Sequence, residues 1–164
     1  MLPTASDFQI RAENFDLTKG GNLIRIAAGA FMFPHVAGKF AGGALSAATV
    51  GFFAKAGFTP PELWVYLAAA AETLTGIALV LGICTRYAAL GAAAVLAIAV
   101  YALQVVKGFS GWTWNKGGYE YPVFWAIVCI GVAIEEFRTA RAVDRKAAGT
   151  PAGKLSDLSV VGRQ

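Results

Sequence analysis

The chain has 164 residues, of which 57% are hydrophobic and only 15% are charged, and its mean hydropathy is +0.57. This apolar content excludes an ordinary soluble domain, and at roughly 20 residues per crossing the chain has room for about four membrane-spanning helices. A net charge of +4 would suggest nucleic acid as a partner of a soluble protein. Here the basic residues stand between and after apolar runs, so we expect them to face the lipid bilayer and expect no nucleic-acid partner.

The order of apolar runs predicts three parts of the chain. Residues 1–22 are polar and predict a cytoplasmic N-terminal segment, and residues 23–137 predict the transmembrane domain. The segment at 44–59 is too short and too polar for a further crossing, which favours a helix lying in the interface. The predicted fold is therefore an all-α membrane protein, a four-transmembrane-helix bundle with a short interfacial helix between the first two spans. The predicted spans are 23–43 (kinked at Pro34), 62–83, 87–106 and 119–137.

The ends of the chain and its basic residues predict its orientation. The N-terminus lacks the basic region and apolar core of a signal peptide, so the first apolar run is expected to stay in the mature protein. Residues 138–164 are basic and are expected to form a disordered cytoplasmic tail. Lys and Arg residues near the predicted span ends are more numerous on the side of both termini, and basic loops are retained in the cytoplasm. We therefore expect a multi-pass protein of a bacterial inner (plasma) membrane with both termini cytoplasmic.

Four ionisable residues stand where lipid should not tolerate them, namely His35, Lys39, Glu72 and Glu120. A charge at mid-membrane costs roughly 2.5–3.5 kcal/mol even on the gentler insertion scale, so such groups normally face the interior of a bundle. With both termini inside, all four fall in the outer half of the membrane. We therefore expect Lys39 and Glu72 to be coupled, by direct contact or through one polar group, in a pocket that also involves His35 and Glu120. Three hypotheses stay open: ion pairs that only hold helices together, a polar pocket that binds a small substrate or moves its protons, and a protonated Glu72 that is merely tolerated.

The sequence shows no cofactor or metal signature of its own. His35 is the single histidine, and Cys84 and Cys129 fall in different apolar segments, so we expect no metal site. The aromatic stretch 109–114 suits an interfacial anchor, and it would also suit the flank of a quinone ring, so a quinone stays open as the one cofactor. No catalytic residue is identified.

Three motifs carry a resemblance to a known family. They are Arg25 followed by His35-Val36-Ala37-Gly38-Lys39, then Glu72-Thr73-Leu74-Thr75-Gly76 running to Leu81-Gly82-Ile83-Cys84-Thr85-Arg86, and finally Gly117-Gly118-Tyr119-Glu120-Tyr121-Pro122. In these motifs the chain resembles the DoxX family of small bacterial four-helix membrane proteins. The resemblance implies a multi-pass inner-membrane location with polar residues at the positions identified above, and it makes Arg86, Tyr119 and Tyr121 supporting candidates. Two departures are Val36, where a glycine is common, and the Glu135-Glu136-Phe137-Arg138 ending of the fourth span.

The family implies a redox setting but no agreed catalytic set. Its namesake is linked to a thiosulfate:quinone oxidoreductase, and other members resemble accessory subunits of membrane redox or oxidative-stress complexes. The first hypothesis is therefore an accessory or quinone-facing subunit that works with other membrane or redox subunits and is not a stand-alone enzyme. The alternatives are a small-solute or proton-coupled permease, which at this length needs a homo-oligomer, and a purely structural membrane subunit.

Overall fold

Helices account for most of the chain in the computed structural model, which describes residues 2–149 and the side chains of 2–145. Short 3-10 turns at Ala5–Phe8 and Ala12–Phe15 precede the first helix, and two more, Phe109–Gly111 and Trp114–Lys116, lie between the last two helices. Two short strands, β1 (Phe40–Ala41) and β2 (Ala44–Leu45), pair as an antiparallel hairpin. The helices are α1 (Gly20–Ala30), α2 (Met32–Ala37), α3 (Ala47–Lys55), α4 (Pro61–Leu81), α5 (Thr85–Lys107) and α6 (Glu120–Gly149).

The predicted first span is not one continuous helix, and its end was placed wrongly. Helix α1 ends before Phe31 and α2 begins after it, three residues before Pro34. Proline lacks the backbone N–H and its ring clashes with the carbonyl one turn earlier, which accounts for the break. The helical part then ends at Ala37, and residues 40–45 form the hairpin, whose turn uses the positive φ angles of Gly42 and Gly43. The structure therefore corrects the predicted 23–43 helix to two short helices and a hairpin.

The predicted second and third spans correspond closely to α4 and α5, and the expected short helix between the first two spans corresponds to α3. Among the described residues, α4 and α5 are the two helices that are long and apolar enough to cross a membrane by length and composition. Helices α1 and α2 are each too short because of the break. Helix α6 has the length, but Glu120 starts it and Glu135 and Glu136 interrupt its apolar run.

Helix α6 also corrects the expected disorder of the C-terminal tail. The helix continues without a break from the predicted fourth span through Arg138 to Gly149. The expectation of disorder is therefore wrong for 138–149, and its remainder, 150–164, lies outside the described residues. The continuation is physically reasonable because residues 138–148 contain neither Gly nor Pro.

The long helices pack pairwise into a ring. Helix α1 packs against α4 and α6, α5 packs against the same two helices, and α3 lies across α4 and α5. Gly29 and Gly76 set the distance between α1 and α4: a Cβ on Gly29 would stand 2.8 Å from the Gly76 carbonyl oxygen and 2.7 Å from the Leu79 Cβ. The backbones meet there because neither residue has a side chain. The buried core consists of Ala28, Met32, Leu79, Ala89, Ala92, Ala93, Leu96, Trp125, Cys129, Val132 and Ala133.

The outer surface of this ring is apolar as well. Along α6, one face carries the exposed residues Phe124, Ile127, Ile130 and Ile134, spaced three or four residues apart. Comparable exposed residues on α4 and α5 are Leu63, Leu67, Leu74, Ile77, Leu90, Ile98 and Val105. Helices that are apolar towards the core and apolar towards the outside are typical of proteins that lie in lipid.

Candidate functional site

Lys39 and Glu72 form a buried ion pair, which is the direct form of the two kinds of coupling expected between them from the sequence. The Lys39 Nζ lies 2.6 Å from the Glu72 Oε2, and each side chain is only 11% exposed. Lys39 also donates to the His35 carbonyl oxygen at 3.2 Å. Two charges buried this far from water are tolerated because each neutralises the other and shares a hydrogen bond with it.

The local fold explains how a lysine reaches the middle of α4. Lys39 follows the end of α2, and its backbone N–H donates to the Val36 carbonyl oxygen at 3.0 Å. Its own carbonyl oxygen accepts from the Ser46 N–H at 2.9 Å, which closes the hairpin behind it. Glu72 lies near the centre of α4 on the side that packs against α2. The break at Phe31 and the hairpin therefore turn the chain back so that Lys39 faces Glu72.

The ion pair forms part of the wall of a cavity of about 500 Å³, which we call the aromatic cavity. Its aromatic members are Phe52, Phe53, Phe58 and Trp64, and Phe58 holds this group together, with ring centroids 5.4 Å from Phe53 and 5.2 Å from Trp64. The other lining residues are Pro34, His35, Gly38, Lys39, Thr49, Leu67, Ala68, Ala71, Glu72, Val95, Ile98, Ala99, Ala102 and Leu103. An apolar cavity of this size with a few polar groups in its wall is typical of a small-molecule site.

His35 lines the same cavity, although its side chain is exposed. Its ring centroid lies 5.4 Å from that of Trp125. Trp125 is itself held in place, because its Nε1 donates to the Ala28 carbonyl oxygen at 3.2 Å beside the break between α1 and α2. The structure thus brings His35, Lys39 and Glu72 to one cavity, and the His35 ring contacts the ring of the buried Trp125.

Glu120, Tyr119 and Tyr121 occupy a different place. The Glu120 side chain accepts from the Trp114 N–H at 3.2 Å, and the Tyr119 hydroxyl donates to the Phe109 carbonyl oxygen at 3.2 Å. Tyr121 places its ring 5.6 Å from that of Trp125. Within the described residues no hydrogen bond or ion pair joins Glu120 to Lys39, Glu72 or His35. The proposed four-residue cluster therefore divides into a group of three and a separate Glu120.

The Gly-Gly-Tyr-Glu-Tyr motif closes the loop before α6. Gly117 has a positive φ of 68°, and a Cβ on Gly118 would lie only 2.2 Å from the Gly111 carbonyl oxygen, so neither position suits another residue. The Tyr119 and Glu120 N–H groups then donate back to the Gly111 and Trp112 carbonyl oxygens. These contacts of the motif stabilise the loop. The spacing of the motif alone did not indicate this structural role.

Arg86 lies at the opposite end of α4 and α5 from the aromatic cavity. Its Nη2 lies 2.8 Å from the Asp7 Oδ2, and its guanidinium stands over the rings of Tyr87 and Phe137 at 5.1 and 5.7 Å. Burial opposes ionisation of Asp7, but hydrogen bonds from Thr4 and the nearby Arg86 charge outweigh it and lower the pKa of this carboxyl. Arg86 therefore anchors the N-terminal segment and does not belong to the ion-pair cavity.

Arg25 is the buried residue whose role the sequence did not indicate. It is 2% exposed and donates to the Leu79 and Val80 carbonyl oxygens and to that of Asn14. The last four carbonyls of a helix have no partner inside the helix. In α4 the Ala78 carbonyl accepts from the Ile83 N–H, Arg25 serves the next two, and Asn14 Nδ2 donates to the Leu81 carbonyl at 3.2 Å. The sequence shows an arginine in α1, but nothing in it indicates that this side chain will reach the carbonyl oxygens at the end of α4.

A second cavity, of about 340 Å³, lies at this end, and we call it the polar cavity. Arg25, Arg86 and Asp7 line it together with Glu136 of α6. The remaining lining residues are Thr4, Ser6, Gln9, Arg11, Asn14, Asn22, Gly82, Thr85, Thr139, Ala140, Val143 and Asp144. Its charged groups are of both signs and several are already paired.

The metal-ligating residue types do not gather at either cavity. Among residues 2–149, no three His, Cys, Asp or Glu side chains stand together as a metal site. Cys84 and Cys129 are both free thiols. At the turn before α5, burial raises the pKa of the Cys84 thiol, which opposes formation of a reactive thiolate there.

Apolar helices with outward-facing apolar side chains and a charged pair buried among them are typical of a helical membrane protein. The family model of DoxX matches residues 21–105, about half of the chain, and the chain belongs to the DoxX family. The matched region contains Arg25, His35, Lys39, Glu72 and Arg86, and it ends before the loop that contains Glu120. No curated protein and no solved structure matches the chain.

Proposed function

We propose that this DoxX-family membrane protein crosses the bilayer four times with both termini in the cytoplasm, and that it binds a quinone in the aromatic cavity as an accessory subunit of a membrane redox system. The crossing elements are α1 with α2, α4, α5 and α6. Support for the first and last comes from their packing on α4 and α5 and from the exposed apolar face of α6. Support for the orientation comes from the distribution of basic residues.

The aromatic cavity carries the proposal of a quinone ligand. A quinone head group is a flat apolar ring with carbonyl acceptors, and its tail belongs in lipid. The rings of Phe53, Phe58 and Trp64 offer faces and edges for the ring. The Lys39 ammonium has three N–H donors, and Glu72 and the His35 carbonyl take two of them, so one is available for a quinone carbonyl.

The charged pair also explains why the ligand should be an acceptor. The Glu72 carboxylate lies against the Lys39 ammonium at a depth where an isolated charge would be costly, and a charged donor makes the stronger hydrogen bonds. His35 lies in the same wall, and its exposed imidazole ring can supply an N–H as a second hydrogen-bond donor besides Lys39. In this proposal the chain binds and orients the quinone, and electrons reach it from a partner subunit.

A pair of alanines on α4 gives a matched test of the site. Ala68 lines the aromatic cavity, whereas Ala70 is exposed on another face of the same helix. With the purified protein in lipid nanodiscs, a short-tailed quinone should quench tryptophan emission saturably, since Trp64 is in the wall. Ala68→Trp should abolish that binding by filling the cavity, and Ala70→Trp should retain it. Equal binding by both variants, or no saturable binding by the folded wild-type protein, would refute the quinone site.

The orientation has its own test. A cysteine placed at Thr150, in a variant without Cys84 and Cys129, should not react with a membrane-impermeant thiol reagent added to intact cells. It should react after the cells are opened. Labelling in intact cells would overturn the cytoplasmic position of the C-terminus without affecting the quinone site.

A further inference from the structure

The segment before α1 has its polar and apolar sides reversed relative to a segment packed on a soluble protein. The side chains of Asp7 and Asn14 point into the molecule, where they bind Arg86 and the Leu81 carbonyl oxygen. The apolar side chains of Phe8, Ile10 and Leu17 point out, with exposed fractions of 61%, 56% and 57%. In water this arrangement would be unfavourable, because burying those apolar groups is what stabilises a packed segment.

We propose that this segment, residues 2–19, is a collar that lies in the membrane interface, with Phe8, Ile10 and Leu17 inserted among the lipids. The sequence alone predicted only that this part of the chain is polar and cytoplasmic. The proposal rests on the four crossings proposed above, since they place the end of the bundle that carries Arg86 at a membrane surface.

The collar is fixed to the bundle at several points, so its outward face is defined. Besides the Asp7 and Asn14 contacts, the Asp7 carbonyl oxygen accepts from the Cys84 N–H at 2.6 Å. Asn22, in the first turn of α1, donates to the Glu13 carbonyl oxygen at 2.7 Å, which holds the second 3-10 turn against the helix. A segment held at both 3-10 turns cannot rotate its apolar side chains inward without losing these bonds.

The neighbouring surface identifies lipid as the occupant of that face. Leu23 and Ile24, near the start of α1, are about half exposed and continue the apolar surface from the collar onto the helix. The polar residues Ser6, Gln9 and Arg11 lie on the other side, in the wall of the polar cavity. A segment with one apolar and one polar side, joined to a lipid-facing helix, is suited to the boundary between acyl chains and head groups.

Depth-dependent quenching tests the collar directly. In the full-length chain with Cys84→Ser and Cys129→Ala, single cysteines replace Phe8, Ile10 or Leu17 and carry an environment-sensitive fluorophore, and the protein is placed in nanodiscs. Glu13 is the matched control, because it is an exposed polar residue of the same segment. Lipids with a nitroxide high on the acyl chain should quench the three apolar positions strongly and Glu13 weakly. Since these positions are exposed, the fold should survive, and unchanged intrinsic tryptophan emission, to which the buried Trp125 contributes, verifies it.

The other outcomes have separate meanings. Equal quenching at Glu13 and at the apolar positions would refute the collar. Protection of those positions from both lipid nitroxide and aqueous iodide would also refute it, and would show that a second copy or a partner protein covers the segment. A label at Phe124 of α6 checks the crossings: if lipids with a deep nitroxide fail to quench it, the four-crossing proposal fails, whatever the collar positions show.

Discussion

The two ends of the helix ring use buried charge in opposite ways. At the end that holds the polar cavity, Arg25 donates to carbonyls that α4 itself leaves without partners, and Arg86 holds Asp7 of the N-terminal segment. In the aromatic cavity, Lys39 and Glu72 satisfy each other across two chain segments and line an open volume. The first arrangement directs its donors to the fold itself, whereas the second leaves one Lys39 N–H donor beside an open cavity.

The difference separates structural charges from candidate functional ones. An arginine that caps a helix has its donors occupied by the fold, so it has little capacity left for a ligand. A lysine paired with a glutamate beside aromatic rings keeps one donor and a cavity to direct it into. Burial alone does not make this distinction, since Arg25, Lys39 and Glu72 are all buried.

The largest effect should follow from removing the cap of α4. Arg25→Met leaves the Leu79 and Val80 carbonyls without their donor, and each buried acceptor without a partner costs roughly 1–3 kcal/mol. We expect the free energy of unfolding to fall by about 4 kcal/mol in total, measured by denaturant titration in detergent. Arg138→Met is the control, because Arg138 is exposed and, among the side chains of residues 2–145, its ion pair is with Glu135. Equal losses in the two variants would show that Arg25 does not cap α4.

Breaking the ion pair should cost somewhat less and should be partly reversible. Lys39→Met or Glu72→Gln alone should lower the free energy of unfolding by about 3 kcal/mol, and the double variant should recover part of the loss. The same titration measures all three variants. Strictly additive losses would show that the two residues are not coupled.

Quinone affinity in the variant with both Lys39→Met and Glu72→Gln tests whether this ion pair serves the ligand or, like Arg25, only the fold. If the pair serves the ligand, stability returns but quinone binding does not, because the charged donor is gone. Recovery of both together would assign the pair to the fold, as for Arg25.

The close contact between α1 and α4 should not tolerate even one added methyl group. Gly29→Ala puts a methyl group 2.7 Å from the Leu79 Cβ and should cost about 2 kcal/mol through overpacking. Gly131→Ala on α6 meets no atom within 4 Å and should be neutral or stabilising by up to about 1 kcal/mol, since alanine favours helix. Thermal unfolding of both in one detergent makes the comparison. A loss in Gly131→Ala as large as in Gly29→Ala would contradict the proposal that the close contact between α1 and α4 makes Gly29 sensitive.

The smallest effect should come from Asp7. Because folding lowers its pKa below the ordinary value of 3.8, its contribution is complete above that pH and is lost as the pH falls through the lowered value. Asp7→Asn should remove this acid sensitivity, and because its amide oxygen can still accept from Arg86, the cost should be about 1 kcal/mol. A cleavage site for a protease that is active in acid is engineered next to Arg11. The rate of cleavage at decreasing pH then reports release of the segment. Asp16→Asn should leave that release unchanged, because the contacts described for the Asp16 side chain are with its sequence neighbours Thr18 and Lys19.

Local signals predicted most of the helices and one important contact. The apolar lengths located α4 and α5, and the cost of buried charge paired Lys39 with Glu72. Pro34 predicted a kink, but whether a proline bends a helix or divides it depends on the packing around it, so the break at Phe31 and the hairpin were not foreseen. Glu120 was grouped with the others by depth alone, whereas the tight turn at Gly118 directs it to Trp114. Arg25 binds the carbonyl oxygens at the end of α4, more than 50 residues further along the chain, and no sequence pattern indicates such a contact.

The unbroken run of α6 has a practical consequence for imaging. At 1.5 Å of rise per residue, the helix extends roughly 17 Å beyond Arg138 to Gly149, while Trp125 and Cys129 fix its other half in the core. A small membrane protein gives electron microscopy few features for alignment. A helical fusion partner joined in register after Gly149 would keep a fixed rotation and distance relative to the ring, and so would act as a rigid marker for particle alignment.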